Sequence, residues 1–297
     1  MANNQTIRVA AAQIDPVLKD VKANLDKHLE WIERARAEGV ELLVFPELSL
    51  SGYDVRDAAI DIAISVMDPL DDPTLVKIAE AAGDMFVVVG FVEEGFGAQI
   101  FNAAGVFHRG EQVFVHRKLN LANYGDMQEA KFFAAGRYME PFELPKQFTG
   151  AILCCSDSWN PALVHIAALH GATMLTIPTN SSLDAESGDV SKPERWDTVL
   201  SFYATLYGLP VVFCNRVGRE GVHTFWGGSR ILDAHGAQVA RASGEGEELI
   251  VAEIAQRDVR EARFRLPTVR DSNLSLIHRE IDRLAQRVGV PKVVRKT

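Results

Sequence analysis

The chain has 297 residues, 47% hydrophobic and 24% charged, and carries a net charge of −9. That composition supplies a large core and suits a globular enzyme, while the acidic balance disfavours nucleic acid and anionic membranes, which call for basic surfaces. No run approaches the roughly 20 apolar residues of a membrane span, the opening MANNQTIRVAAAQ has no signal-peptide pattern, and three cysteines, two of them adjacent, make no disulfide framework; a cytoplasmic protein is expected.

The apolar pattern predicts a buried strand over 7–13 and an amphipathic helix over 21–38, in which Leu25, Leu29, Ile32 and Ala35 keep helical spacing and Gly39 stands at the C-terminal cap position. Residues 40–45 form a short continuous apolar run, typical of a strand covered on both faces, and the chain then turns through Pro46-Glu47. A helix over 72–82 and strands over 85–93, 103–107 and 113–116 follow, the last running into Arg117-Lys118. A long polar and aromatic loop covers 119–136. Further strands are predicted over 150–154, 174–178, 211–215, 229–232, 238–242 and 248–254, with a helix over 161–170. The charged tail is partly helical, and Leu274, Leu276, Ile277, Ile281 and Leu284 mark an amphipathic helix suited to an oligomer interface. Strands alternating with helices and then clustering imply an α/β protein with a mixed sheet. No linker divides it, so one domain over 1–264 with a tail over 265–297 is expected.

In such folds functional groups collect at the carboxyl ends of strands. Glu47, Lys118 and Cys155 each stand just after an apolar strand run. The segment Leu153-Cys154-Cys155-Ser156-Asp157-Ser158-Trp159-Asn160-Pro161 places a thiol at a strand-to-helix turn, near N–H groups that favour a thiolate and stabilise an oxyanion. Alternation puts Cys154 and Cys155 on opposite faces, so one alone faces a pocket. The eight histidines are scattered, and no Cys-x-x-Cys, His-Glu-x-x-His or EF-hand spacing occurs, so no metal site is predicted. There is no Gly-rich phosphate loop either.

These segments together resemble the nitrilase superfamily of carbon–nitrogen hydrolases over nearly the whole chain. Phe45-Pro46-Glu47-Leu48 with Ser51-Gly52-Tyr53 matches the glutamate motif, and Arg117-Lys118-Leu119 the lysine motif. Glu129 to Gly136 (EAKFFAAG) resembles the second-glutamate segment, and Cys155-Ser156-Asp157 with Pro161 the cysteine motif. Asn215-Arg216-Val217-Gly218 and Gly227-Gly228-Ser229 resemble later segments. The family spacing selects Cys155 over Cys154. The resemblance implies a four-layer α-β-β-α sandwich, usually dimeric, and cofactor-independent hydrolysis. Cys155 would be the nucleophile and Glu47 its base, since a thiol of pKa ~8.5 is mostly protonated at neutral pH. Lys118 would stabilise the oxyanion, with the Ser156 N–H as second donor. Glu129 would orient Lys118 or the substrate, and Tyr53, Tyr124 and Trp159 are candidates for the pocket wall or for packing. His116 and Arg117 read as structural or surface groups.

The Cys-x-Asp-x-Trp-x-Pro arrangement resembles N-carbamoyl amidohydrolases. Together with residues 50–57 and Asn123-Tyr124-Gly125 it also resembles the glutaminase domains of glutamine-dependent NAD synthetases. Ala162 in place of an acidic residue, and Ser156 in place of a bulky aromatic, depart from many members. The implied substrate is a small linear amide or N-carbamoyl compound. The alternatives are a glutaminase-like subunit passing ammonia to a partner, a nitrile hydrolase, and a non-catalytic scaffold, which would not need Glu47, Lys118 and Cys155 together.

Overall fold

The computed structural model describes residues 5–65, 72–183, 191–244 and 246–289. Among the described residues two large mixed sheets form the centre. The first runs in spatial order Glu248–Ala255, Thr6–Gln13, Leu42–Val44, Phe86–Gly95, Gln99–His108 and Glu111–Arg117, with the short Ile64–Ser65 also against Phe86–Gly95. The second runs Gln238–Arg241, Arg230–Leu232, Val211–Asn215, Met174–Thr179, Thr149–Ile152 and Phe142–Glu143. Parallel pairing occurs where helices cross over: Val9 opposes Leu42, Leu42 opposes Phe86, and Ala151 opposes Leu175. Hairpins supply antiparallel pairs such as Phe86–Gly95 with Gln99–His108, and the first strand also pairs antiparallel with the distant Glu248–Ala255.

Alternation along the strands divides the core into layers. Val9, Ala11, Val44, Val88 and Val106 of the first sheet meet Ile152, Cys154, Met174, Val212 and Ile231 of the second. The opposite face of the first sheet, with Ala10, Leu43, Val87 and Val89, lies under Leu25, Ile32, Leu75 and Ile78 of the helices Val21–Ala37 and Pro73–Ala82. The outer face of the second sheet, with Ala151, Leu175, Val211 and Phe213, lies under Val164, Ala168, Trp196 and Leu200 of the helices Pro161–Leu169 and Lys192–Tyr207. Each fully buried Val, Leu, Ile, Phe or Met side chain among them contributes roughly 1.5–3 kcal/mol. This is a four-layer α-β-β-α sandwich.

The expected strands and helices recur with ends shifted by a residue or a few. The helix Lys192–Tyr207 and the hairpin of Val217–Glu220 with His223–Trp226 lie where the sequence analysis assigns no element. Part of the loop before that helix, residues 184–190, lies outside the described residues, as does the end of the tail from residue 290. The helix Leu274–Arg287 buries none of its residues against the rest of the chain.

Candidate active site

The strand Leu42–Val44 ends on Phe45-Pro46, and the chain reverses at Glu47 with Leu48 in the left-handed region at φ 47°. The neighbouring strand presses close here. A Cβ on Gly90 would lie 2.3 Å from Leu48 N and 2.7 Å from Pro46 O, so only glycine fits. The turn delivers the Glu47 carboxylate into the interior, 1% exposed. Asn102 Nδ2 donates to Oε1 at 2.8 Å and the Asn180 N–H to Oε2 at 3.0 Å, while Asn180 Nδ2 holds the Glu47 carbonyl at 2.7 Å.

Lys118 follows directly on the strand Glu111–Arg117 and is fully buried. Its N–H donates to Asn102 O, and its carbonyl accepts from the Gly136 N–H, where a Cβ would lie 2.2 Å from Arg117 O. Nζ donates to Glu47 Oε1 at 2.6 Å and to Glu129 Oε1 at 2.8 Å. Glu129 opens a short 3-10 turn in the long loop, and its Oε1 also accepts from Tyr53 OH at 2.7 Å and its Oε2 from the Ala122 N–H at 3.0 Å. A buried ammonium thus sits between two buried carboxylates, the arrangement that makes burying such charges tolerable. Burial opposes the Lys118 charge, but Glu129 and Glu47 outweigh it and hold its pKa well above the ordinary value. Burial raises the Glu47 pKa; Lys118 pulls it down and Glu129 pushes it up, with a net rise.

Cys155 comes from the other sheet. The strand Thr149–Ile152 ends, and Cys155 opens a five-residue 3-10 turn, Cys155–Trp159, in the left-handed region at φ 44°. A non-glycine residue held there is strained, a condition that collects at functional sites. Cys154 faces the inter-sheet core and Cys155 the opposite cluster, as alternation requires. The turn expected between strand and helix is this 3-10 turn, and the helix starts at Pro161, as the sequence predicts, under the Asn160 cap. The resting thiol is not poised as a thiolate. Burial and the Glu47 charge push its pKa up, with Lys118 and the Asn180 N–H opposing. The Ser156 N–H has no acceptor among the described residues, while its hydroxyl donates to Asn120 O.

Glu47, Lys118 and Glu129 form one hydrogen-bonded cluster, and Cys155 lies within its field. Tyr53 joins through its hydroxyl. Tyr124 is 46% exposed, feels the same charges and the thiol, and has its pKa raised by burial first. Trp159 packs against Trp196 with centroids 4.6 Å apart and the rings tilted by 51°. His116 is buried and donates to Asp157, and Arg117 pairs with Glu93. Sequence reasoning missed Asn102 and Asn180. Asn102 had a readable signal, a polar residue inside the apolar run Phe101-Asn102-Ala103-Ala104; Asn180 follows the strand Met174–Thr179, the same placement that flagged Glu47. The later segments act as scaffold. Asn215 receives the Ser181 N–H and donates to Ser181 O and Gly227 O, fixing the loop that carries Asn180. Among the described residues the potential metal ligands within 4.8 Å of one another are His116, Cys154 and Asp157. Both Asp157 oxygens are engaged by N–H donors there, which leaves no open carboxylate face for a cation.

Two sheets thus bring a buried Glu–Lys–Glu cluster and a strained cysteine into one electrostatic field. The carbon-nitrogen hydrolase family model matches residues 8–264, and the chain belongs to that family. It is 32% identical over 250 residues to the glutamine-dependent NAD(+) synthetase of Thermotoga maritima, covering 84% of this chain and 42% of that protein, so it spans under half of that relative. It is 26% identical over 275 residues to the N-carbamoylputrescine amidase of Oryza sativa subsp. japonica, covering 89% and 91%. Among solved structures it superimposes on a carbon-nitrogen hydrolase from Helicobacter pylori G27 with a TM-score of 0.80 at 24% identity, covering 92% and 97%. That likeness shows a shared fold.

Proposed function

We propose that the chain hydrolyses the C–N bond of a small linear amide or N-carbamoyl compound through a Cys155 thioester. The observation that carries this reading is the ammonium of Lys118 held between Glu47 and Glu129, in the field of the Cys155 thiol. The neutral resting thiol needs a base, and Glu47, its pKa raised, is matched to that task. In the first step Sγ bonds to the carbonyl carbon, its proton passes to Glu47, and the carbonyl electrons move onto oxygen. Lys118 has three N–H donors, two engaged by Glu47 and Glu129, so one remains for the oxyanion. The unpartnered Ser156 N–H is the second donor. The C–N bond then breaks, and Glu47 returns the proton to the leaving nitrogen. Water next gives Glu47 a proton, bonds to the acyl carbon and displaces the thiolate, which recovers that proton. Glu129, braced by Tyr53 and the Ala122 N–H, fixes Lys118 throughout.

The test is ammonia release from a panel of glutamine, N-carbamoylputrescine, N-carbamoyl-β-alanine, dicarboxylic monoamides and simple nitriles. Turnover of an amide or carbamoyl compound supports the reading; turnover of nitriles alone contradicts it. A second reading, a glutaminase-like subunit that feeds ammonia to a partner, is favoured by the 32% identity to an NAD(+) synthetase of which the chain spans 42%. It predicts activity on glutamine alone, rising when the partner is added.

We further propose that residues 1–264 carry the reaction and that the helix Leu274–Arg287 is covered by a second copy. Its Leu274, Leu276, Ile281 and Leu284 are exposed in the single chain. Ile281→Glu with Leu284→Glu should move a dimer to monomer in analytical ultracentrifugation; an unchanged sedimentation coefficient contradicts this.

A further inference from the structure

The proposed reaction draws its groups from both sheets, so it needs a device that fixes their separation. On the glutamate side that device is Asn180, whose N–H and side chain grip Glu47 from the end of a second-sheet strand. On the lysine side the corresponding tie runs through Asp157. Its carboxylate is fully buried. Oδ1 accepts the N–H groups of Leu119 at 2.9 Å and Asn120 at 2.6 Å, the two residues after Lys118. Oδ2 accepts the Cys154 N–H at 3.1 Å, one residue before the nucleophile, and His116 Nε2–H at 3.1 Å, two residues before Lys118. Ser156 Oγ adds a parallel tie to Asn120 O.

One carboxylate therefore holds the first-sheet segment around Lys118 and the second-sheet turn around Cys155 at the same time. It also supplies the hydrogen bond that closes the turn in which Cys155 takes its left-handed conformation. We propose that Asp157 is a positioning residue: through these backbone contacts it sets where Cys155 Sγ stands relative to Lys118 Nζ. It touches no substrate and acts only through the two turns. The length of the side chain is part of the device, since a glutamate would add a methylene to a site with no exposed surface. The inference rests on the proposed reading for its consequence, but its geometry can be read without turnover.

The experiment measures alkylation of Cys155 by iodoacetamide in the full chain, followed by peptide mass mapping from pH 5 to 10, with buried Cys154 and Cys214 as internal references and thermal melts in parallel. Asp157→Asn keeps the size and one acceptor oxygen but turns an amide donor toward one of the two turns. The expected result is Cys155 alkylation slowed about 10-fold or more, with an altered pH profile and Cys154 still protected, because a displacement near 1 Å suffices for such losses. His116→Gln, which retains a donor to Asp157, should stay near wild type. His116→Ala, which removes one donor of the set, should fall between, about 3-fold down. Where Asp157→Asn does not fold, His116→Ala decides the matter. A lowered melting temperature with unchanged Cys155 rate and pH profile would mean a merely structural role and overturn the proposal; so would faster labelling of Cys155 and Cys154 together. If the wild type turns over no amide and Asp157→Asn still slows alkylation, the hydrolase reading fails and the positioning role stands. Turnover with no effect of Asp157→Asn has the opposite meaning.

Discussion

The two sheets bring different things to the site. The first supplies charge: Glu47 and Lys118 leave the ends of two strands of one sheet, with two more strands between them, and with Glu129 they form a hydrogen-bonded cluster within that half of the molecule. The second supplies a neutral thiol on a strained turn, with the Asn180 amide beside it. Neither half is chemically competent by itself. The cluster has no nucleophile, and the thiol, its pKa raised by burial and by Glu47, has no base of its own. A sandwich of two sheets keeps these halves in register because the close-packed apolar inter-sheet core leaves little room to slide.

Removing the second sheet's contribution should have the largest effect. Cys155→Ser should reduce ammonia release on the order of 10⁴-fold or more while leaving the melting curve nearly unchanged, since size is kept. Next comes the link within the first sheet. Lys118→Met should lower the rate about 10²–10³-fold by removing an oxyanion donor. Unlike the serine variant it should also lose roughly 3–5 kcal/mol in urea titration, because two buried carboxylates are left without their cation. A rate loss with intact stability would separate the cluster from the fold and break the comparison. Gly90→Ala acts on geometry alone. The new methyl displaces the Pro46–Leu48 turn and should cost about 1–3 kcal/mol with a measurable fall in kcat; wild-type kcat would show that the turn can yield.

The smallest effects are in pH. Glu47 works ionised, and burial together with Glu129 raises its pKa above the ordinary 4.5, so the acid limb of kcat/KM should lie above that value. Glu129→Gln removes one raising charge and should move the limb to lower pH. The same shift has a stability sign. A carboxyl with a raised folded-state pKa contributes stability that is complete below 4.5 and is lost as pH rises through the folded value. Glu47→Gln should therefore flatten the decline in stability above pH 4.5; an unchanged slope would place the raised pKa elsewhere.

The strands were legible because each is a short apolar run, and Val211–Asn215 matches its expected bounds. The helix Lys192–Tyr207 was readable but unread. Trp196, Leu200, Tyr203, Ala204 and Tyr207 follow its buried face, and Ser191 with Glu194 forms a capping box, but interspersed polar residues dilute the periodicity. In the site, Glu47, Lys118 and Cys155 were visible as polar groups ending apolar runs. Asn102 and Asn180 stand at readable places, but what they grip, across 55 and 133 residues, was not legible, nor was the clamp at Asp157, whose first-sheet partners lie 37 to 41 residues away. The state of the thiol was equally hidden. Spacing suggested helix-end N–H groups that favour a thiolate, whereas the fold surrounds it with apolar side chains and a carboxylate.

The most direct test of the central claim, a covalent intermediate on Cys155, is partitioning with hydroxylamine. Amides sharing one acyl group but differing in the leaving amine are turned over with hydroxylamine present, and hydroxamate and free acid are quantified. A common thioester predicts the same hydroxamate-to-acid ratio for every leaving group, with both products gone in Cys155→Ser. A ratio that changes with the leaving amine, or products that persist without the thiol, would mean that water attacks the substrate directly and would contradict the account.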